Sequence, residues 1–237
     1  MQLFYNPDID ETTESFSFDK EESKHIIKVL RKKDSDILHV TNGFGLLFET
    51  EITLASDNKC IVAVRSITKS PEPKFRLHLA VAPTKMNDRF EWFLEKATEI
   101  GIQEITPIIC DRSERKVINL ERFEKIILSA MKQSNETYFP KLNDAISFKE
   151  FMKQKNQGLQ FIAHCEETDK KSLKETLKPN ENVTLLIGPE GDFSEKEIAL
   201  AIENKYQPVT LGNTRLRTET AAVVACHSVV FFNEVPN

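Results

Sequence analysis

The chain contains few cysteines, and none of them lie close together. The four cysteines among its 237 residues are Cys60, Cys110, Cys165 and Cys226, and no Cys-x-x-Cys pair occurs. A disulfide framework needs several cysteines in a short chain, and a zinc site needs closely spaced ligands. We therefore expect no metal, reduced buried thiols and a cytoplasmic location.

Long apolar runs are also missing. No stretch approaches the roughly eighteen consecutive apolar residues that a membrane-spanning helix requires. The opening residues, MQLFYNP, do not form a basic region followed by an apolar run, which is the pattern of a secretory signal. We expect neither export nor a membrane partner.

An excess of positive charge is absent as well. The chain has 32 Lys and Arg against 37 Asp and Glu, a net charge of -5, so overall charge does not favour binding to nucleic acid. Local basic clusters remain, at Arg112, Arg115 and Lys116 and again at Arg215 and Arg217. A solvated surface is the simpler interpretation of the first cluster. The arginine pair is a stronger candidate, because loops on a rigid sheet often carry function.

Two prolines divide the chain. Before them, short alternating segments and the turn at residues 41–45 indicate strands and a hairpin, with one helix that Asp19 and Glu22 can cap. Pro71 and Pro73 then interrupt both helical and strand periodicity. We predict a small β-barrel-like domain at residues 1–70 and a second domain at residues 71–237.

The second domain alternates apolar strands with helical patterns, which predicts an α/β fold with a parallel sheet. Predicted strands lie near residues 77–82, 104–109, 159–163, 183–187 and 208–211, and predicted helices near residues 88–100, 122–132 and 221–232. The last helix is apolar almost all round. Such a helix is covered on every side, either in the core or by another subunit.

Two glycine-containing segments, residues 185–194 and 211–220, each follow an apolar strand. Their loops are expected to converge at the carboxyl edge of the sheet, where open α/β sheets bind ligands. Ser194 with Glu197 predicts a capping box, and Thr218 or Thr220 can cap the last helix. Neither segment is a P-loop or a dinucleotide fingerprint. A purely structural turn remains an alternative for each segment.

These segments carry a resemblance. Ile187-Gly188-Pro189-Glu190-Gly191, Leu211-Gly212 and Leu216-Arg217-Thr218-Glu219-Thr220-Ala221 resemble the knotted SPOUT methyltransferases, and within them the family that methylates N3 of a uridine in small-subunit ribosomal RNA. The segments Asp88-Arg89, Lys96-Ala97-Thr98-Glu99-Ile100-Gly101 and His25 to Arg31 extend the likeness over nearly the whole chain.

The resemblance implies a trefoil-knotted parallel sheet with an N-terminal PUA-like β-barrel domain, a homodimer, S-adenosylmethionine as cofactor and 16S ribosomal RNA of the small subunit as partner, with no DNA. It implies cofactor-binding residues at Leu186, Ile187, Gly188, Pro189, Glu190, Gly191, Leu211, Gly212, Leu216 and Thr218. Our candidate catalytic residues are Arg217 and Glu219, and our candidate RNA contacts are Arg31, Arg89, Arg112, Arg115, Lys116 and Arg215.

The chain departs from the family pattern at several positions. Asp192 and Ser35 stand where the family usually has glycine, and Lys132 and Glu136 stand where an acidic residue and an arginine are usual. We expect cofactor binding to tolerate Asp192. The departures near Glu136 affect one expected RNA contact.

Two other functions fit the sequence. A related knotted enzyme could methylate ribose 2′-oxygens or tRNA bases, and a non-catalytic dimer could only bind RNA. Binding of S-adenosylmethionine separates the enzymes from the binding module. The five histidines show no convergent spacing, although His164 ends a predicted strand at the sheet edge of interest.

Overall fold

The computed structural model describes residues 1–167 and 169–234. The chain forms two compact units: Met1–Glu72 with Met131–Phe139, and Pro73–Ala130 with Pro140–Asn237. The sequence placed residues 131–139 in the second domain, whereas this segment packs in the first unit. Its backbone explains why: Gly45 N donates to Thr137 O at 3.0 Å and Phe139 N donates to Gly43 O at 2.8 Å.

The first unit contains one five-stranded sheet in the order β1-β3-β4-β5-β2. The β1–β3 pair is parallel and the other pairs are antiparallel. The strands are β1 (Leu3–Tyr5), β2 (Ser15–Ser17), β3 (Ile37–Thr41), β4 (Leu46–Leu54) and β5 (Ile61–Lys69).

Alternating residues of these strands build the first core. Val40, Phe48, Ile52 and Val62 are fully or almost fully buried, as expected for a sheet with one face toward a core. Register shifts in the β4–β5 pair mark irregular pairing, which bends and twists a sheet. The predicted barrel is thus a curled sheet whose edge strands, β1 and β2, have three residues each.

One helical segment of this unit lies between β2 and β3 and packs with the sheet. It comprises α1 (Lys20–Lys24) and a π-helical turn (His25–Val29). The predicted N-cap is confirmed, because the Asp19 carboxylate accepts a hydrogen bond from Glu22 N at 2.7 Å.

The second unit contains the predicted parallel sheet. Its strand order is β11-β13-β10-β12-β6-β7-β8, with β9 also paired to β7, and every pair is parallel. The strands are β6 (Leu77–Val81), β7 (Glu104–Ile109), β8 (Lys141–Leu142), β9 (Ile146–Ser147), β10 (Leu159–Ala163), β11 (Lys171–Ser172), β12 (Val183–Ile187) and β13 (Gln207–Thr210).

Helices cover this sheet. All five residues of β6 and all five of β12 are buried, as in strands that are covered on both faces. The helices are α2 (Asn87–Ile100), α3 (Leu120–Ser134), α4 (Phe148–Phe151), α5 (Leu173–Thr176), α6 (Glu195–Glu203) and α7 (Thr218–Asn233). No described helix is long and apolar enough to cross a membrane.

The helix starts confirm one expectation and correct another. Ser194 and Glu197 form the predicted capping box of α6. The N-cap of α7 is Arg217, which makes no side-chain capping bond. The prediction that Thr218 or Thr220 caps α7 was wrong, because the Thr218 hydroxyl donates instead to Gly188 O at 3.0 Å. That bond joins the start of α7 to the turn after β12.

Candidate cofactor pocket

Two neighbouring cavities open at the carboxyl edge of the parallel sheet, where β10, β12 and β13 end. Their volumes are ≈ 270 Å³ and ≈ 90 Å³, and they share five wall residues. The shared residues are Ala163, Cys165, Arg215, Leu216 and Ala221. The turn after β12 lines the larger cavity and the turn after β13 lines the smaller one, so the two glycine-containing segments do meet.

Most of the residues named from the resemblance line this pair of cavities. Those residues are Ile187, Gly188, Pro189, Glu190, Leu216 and Thr218 on the larger cavity and Leu211, Gly212 and Leu216 on the smaller one. The other two do not. Leu186 is fully buried in the hydrophobic core, since successive strand residues point to opposite faces. Gly191 lies against Arg112, whose Cβ would be 3.3 Å from a Cβ at this glycine.

The turn after β12 is closely packed at its first residue. A Cβ at Gly188 would lie 3.1 Å from the Phe193 ring and 3.2 Å from Phe193 N. Phe193 is itself fully buried and cannot move aside cheaply. A side chain at Gly188 would therefore press on Phe193 beneath the turn, which would have to shift by a few tenths of an ångström.

Two arginines hold the same turn in place. Arg112 Nη1 donates to Gly191 O at 3.0 Å and to Phe193 O at 3.2 Å. Arg115 Nη2 donates to Lys85 O at 2.9 Å, and Lys85 N donates to the Glu190 carboxylate at 2.9 Å. Both guanidinium groups therefore contact loop backbone, and their predicted contacts with RNA stay predictions.

A third loop, which follows β10, completes the walls. His164 and Cys165 follow β10, and the Asp192 carboxylate accepts a hydrogen bond from Cys165 N at 2.7 Å. Asp192 has φ +63°, a left-handed conformation that glycine adopts freely and aspartate tolerates. This geometry explains why a residue other than glycine is accommodated here.

His164 is the most unusual side chain in the pocket. It is only 7% exposed, and neither ring nitrogen has a hydrogen-bond partner among the described residues. Burial, with a smaller contribution from Lys170, lowers the pKa of its imidazole, so the ring is neutral near pH 7. A buried polar group without a partner is costly, and the ring lines the smaller cavity. The end of a strand at the right sheet edge was the only sequence signal for it.

The candidate catalytic residues lie where α7 begins. Arg217 lines the larger cavity and is exposed, and its guanidinium makes no hydrogen bond or ion pair within residues 1–167 and 169–234. Glu219 is buried, and its Oε1 lies 3.9 Å from Arg89 Nε. Glu219 Oε2 has no hydrogen-bond partner in the part of the chain described. The charged neighbour of Glu219 is thus Arg89, not Arg217.

The remaining candidates are dispersed. Arg215 is exposed and lines both cavities. Lys116 is exposed on the loop after β7, and Arg31, in the first unit, is exposed with φ +56°. The described residues include no group of His, Cys, Asp or Glu side chains suited to a metal ion.

This geometry is typical of α/β proteins that bind a small molecule at the carboxyl edge of a parallel sheet. Three loops at the carboxyl edge of a parallel sheet surround a pocket with apolar walls, backbone polar groups and two free arginines, a setting for a bound small molecule and an anionic partner. The family described as "RNA methyltransferase domain" matches residues 70–230, and "RNA methyltransferase PUA domain" matches residues 18–65.

Comparison with individual proteins narrows the class. Ribosomal RNA small subunit methyltransferase E of Rickettsia conorii is 32% identical over 209 residues, which cover 86% of this chain and 85% of the relative. The chain belongs to the ribosomal RNA small subunit methyltransferase E family.

Solved structures agree with this assignment. A "probable rRNA-methyltransferase" from Porphyromonas gingivalis superposes with a TM-score of 0.91 at 37% identity, with 98% of each chain covered. Ribosomal RNA small subunit methyltransferase E of Neisseria gonorrhoeae, solved with bound S-adenosyl methionine, gives a TM-score of 0.83 at 26% identity with 95% of each chain covered.

Proposed function

We propose that this protein uses S-adenosylmethionine to methylate N3 of a uridine in 16S ribosomal RNA of the small subunit, in the cytoplasm. One observation carries the proposal: the turns after β12 and β13 line two adjoining cavities with shared walls, and the unpaired guanidinium of Arg217 lines the larger one. Membership of the ribosomal RNA small subunit methyltransferase E family supports the substrate class.

The pocket residues fit this cofactor. His164 is a wall residue of the smaller cavity and its buried ring nitrogens lack partners among the described residues. A small rotation of the ring would bring a nitrogen to a bound adenosine group, which offers both donors and acceptors. Ile187, Leu211 and Leu216 supply apolar walls, as a planar base requires. When bound, S-adenosylmethionine supplies an electrophilic methyl group on its sulfonium.

Arg217 is the residue that we assign to the reacting base. Uracil N3 carries a weakly acidic proton, and it becomes a good nucleophile only when that proton leaves. A cation beside O2 or O4 stabilises the negative charge that develops during deprotonation. Arg217 is free of competing partners and lines the larger cavity, so its guanidinium is available for this contact.

We assign Glu219 one of two roles, which are to accept the proton of uracil N3 or to hold an arginine of the site in place. Its Oε2 is buried without a hydrogen-bond partner among the described residues, while Arg89 lies beside Oε1. A carboxylate near a helix N-terminus is stabilised by the helix dipole. Arg89 therefore positions Glu219, and its buried Oε2 would have to become accessible on substrate binding in order to accept a hydrogen bond or proton.

RNA must deliver an unpaired uridine to this pocket. Enzymes that modify a base extrude it from its helix, and basic side chains on the phosphates fix its register. We assign this role to Arg215 at the cavity and to the exposed Arg31 and Lys116 elsewhere. Arg89, Arg112 and Arg115 also contact protein groups. We assign to RNA phosphates only those of their N–H donors that these contacts do not use.

A homodimer accounts for the outer face of α7. One face of this helix packs with α2, β6 and β12 through Ala222, Ala225, Cys226 and Val229. On the rest of its surface Phe231 is 65% exposed and Phe232 is also exposed. A second copy that covers these rings would bury them in a symmetric interface.

The proposed fold of the second unit includes a trefoil knot. The supporting observation is the strand order, in which β12 lies between β6 and β10 while β13 lies on the other side of β10. The first unit, with its curled sheet and its match to a PUA domain family, would be the PUA-like RNA-binding domain.

Mass mapping of ribosomal RNA tests the activity. Small ribosomal subunits from cells that lack this protein, incubated with the purified protein and deuteromethyl S-adenosylmethionine, are expected to gain labelled 3-methyluridine at one position. Label on a ribose 2′-oxygen, or on tRNA alone, would identify a different methyltransferase. Binding of subunits without any transfer would identify a non-catalytic module.

A further inference from the structure

One aromatic side chain in the first unit points away from the protein. Phe44 lies at the turn between β3 and β4 and is 69% exposed, compared with 44% for Trp92. Single exposed apolar residues are common on protein surfaces. Exposure alone therefore assigns no role to Phe44, and the surrounding turn has to be considered.

Hydrogen bonds from one side chain hold the backbone of this turn. Asn42 is buried, and its Oδ1 accepts hydrogen bonds from Phe44 N at 2.9 Å and Leu46 N at 3.2 Å. Its amide Nδ2 donates to Ile9 O at 3.2 Å. These bonds fix the backbone on both sides of Phe44 through one side chain.

The flanking glycines are fixed by other segments of the same unit. Gly45 N donates to Thr137 O at 3.0 Å, and Gly45 O accepts from Ser70 N at 2.8 Å. Gly43 and Gly45 have φ +79° and +89°. A Cβ on Gly45 would overlap Tyr138, and a Cβ on Gly43 would lie 2.8 Å from the Tyr5 ring.

Two of the seven glycines of the chain thus flank Phe44. A side chain at either position would clash with an aromatic residue below the turn. The Tyr5 and Phe139 rings stack at 5.6 Å, and the Tyr138 hydroxyl donates to Ser70 O. The turn therefore rests on a fixed aromatic layer and presents one unshielded ring to solvent.

We propose that Phe44 is a stacking platform for an unpaired base of the RNA substrate. The inference rests on the proposed function. A rigid phenyl ring without polar atoms suits the face of a base, and it loses little entropy on binding because its backbone is already fixed. Phe44 lies within the segment that matches the RNA methyltransferase PUA domain family. The net charge of -5 does not favour binding to RNA, so a stacking contact, which does not depend on charge, would add to the affinity for RNA.

Three substitutions of Phe44 in the full-length protein test the proposal. The probe is the small ribosomal subunit from cells that lack the enzyme, and the readout is its Kd. Phe44→Ala and Phe44→Leu are each expected to weaken binding about tenfold, a loss within the range measured for base–aromatic stacking. Phe44→Trp is expected to retain wild-type affinity or exceed it. Calorimetric affinity for S-adenosylmethionine is expected to be unchanged in all three variants.

The dependence of Kd on salt separates stacking from charge. Phe44→Ala is expected to leave the slope of log Kd against log salt unchanged, because no phosphate contact is removed. Arg31→Ala is the matched control and is expected to reduce that slope by about one unit.

Several results would overturn the stacking proposal alone. One is wild-type affinity for small subunits in Phe44→Ala, and another is wild-type affinity in Phe44→Leu. A third is dissociation of a dimer in Phe44→Ala, which would show that a second copy covers the ring. Failure of the wild-type protein to bind or methylate subunits would instead contradict the proposed function on which the inference rests.

Discussion

Arg217 is the single residue on which the proposed chemistry depends most. Arg217→Ala is expected to lower kcat by about 10²–10³-fold, the usual effect of removing one group that stabilises developing negative charge. Affinity for S-adenosylmethionine is expected to persist, since the other walls of the cavity remain. Steady-state methylation of small subunits and calorimetry measure the two effects separately.

Arg215→Ala is the matched control for this substitution. Arg215 is also exposed and lines both cavities, but we assign it to phosphate, so its loss is expected to raise KM with kcat largely retained. Near-normal kcat in Arg217→Ala would remove Arg217 from the mechanism.

His78 makes stability depend on pH. Burial, with Arg76 and Lys141 nearby, lowers the pKa of His78 from 6.5 to about 3. Below pH 6.5 the unfolded chain binds a proton at this ring that the folded chain does not, so the free energy of unfolding falls as pH falls. The loss between pH 7.5 and pH 5 is about 2 kcal/mol from this group.

Urea unfolding of the wild-type protein and of His78→Gln over this pH range measures the effect. The variant is expected to show a smaller decline, because it lacks the titrating ring. Equal declines in the two proteins would show that His78 is protonated in the folded state as readily as in the unfolded state.

Two departures from the family pattern lie at residues with the same backbone conformation. Asp192 and Ser35 replace residues that are usually glycine, and both have left-handed φ angles, +63° and +70°. The resemblance located these positions in the sequence. Only the backbone explains them, because a positive φ depends on the surrounding turn and carries no periodic signal.

At the scale of elements, the turn after β12 is the most constrained part of the site. Gly188→Val is expected to lower S-adenosylmethionine affinity at least tenfold, since a side chain there presses on Phe193 and distorts the turn that lines the larger cavity. Calorimetry provides the measurement. Ala199→Val, on the exposed side of α6, introduces the same valine side chain away from the pocket and is expected to bind normally. Unchanged affinity in Gly188→Val would place the cofactor elsewhere.

Helix α7 carries the prediction about assembly. Phe231→Glu is expected to convert the dimer to a monomer, because it places a charge where the proposed interface buries an aromatic ring. Sedimentation velocity measures this change. Ile202→Glu on α6, at another exposed apolar position, is the control and is expected to remain dimeric. A dimeric Phe231→Glu protein would show that the interface lies on another surface.

Periodicity predicted the elements of this fold better than their termini. The buried strands β6 and β12 and the helix α2 follow from apolar patterning, and the capping box of α6 follows from Ser194 and Glu197. The start of α7 was missed, because the Thr218 hydroxyl bonds to Gly188 O, a partner thirty residues away in the chain. Such a contact leaves no local pattern.

At the scale of the whole molecule, the sequence indicated two domains but not the path of the chain through them. Residues 131–139 belong with the first unit through backbone bonds to the β3–β4 turn. Those bonds use main-chain atoms that every residue has, so residue identity does not reveal them. His164 was singled out only by its position at the end of a predicted strand, since the residues that share its cavity, such as Leu211 and Gly212, are distant in the sequence.

The central claim is that the loops after β10, β12 and β13 form one S-adenosylmethionine pocket. The most direct test is a crystal structure of the protein grown with S-adenosylmethionine. The account predicts density for the cofactor between Gly188, Leu216 and His164, with a hydrogen bond to a ring nitrogen of His164. A cofactor bound at any other surface, or a His164 ring still without a partner in the complex, would contradict it.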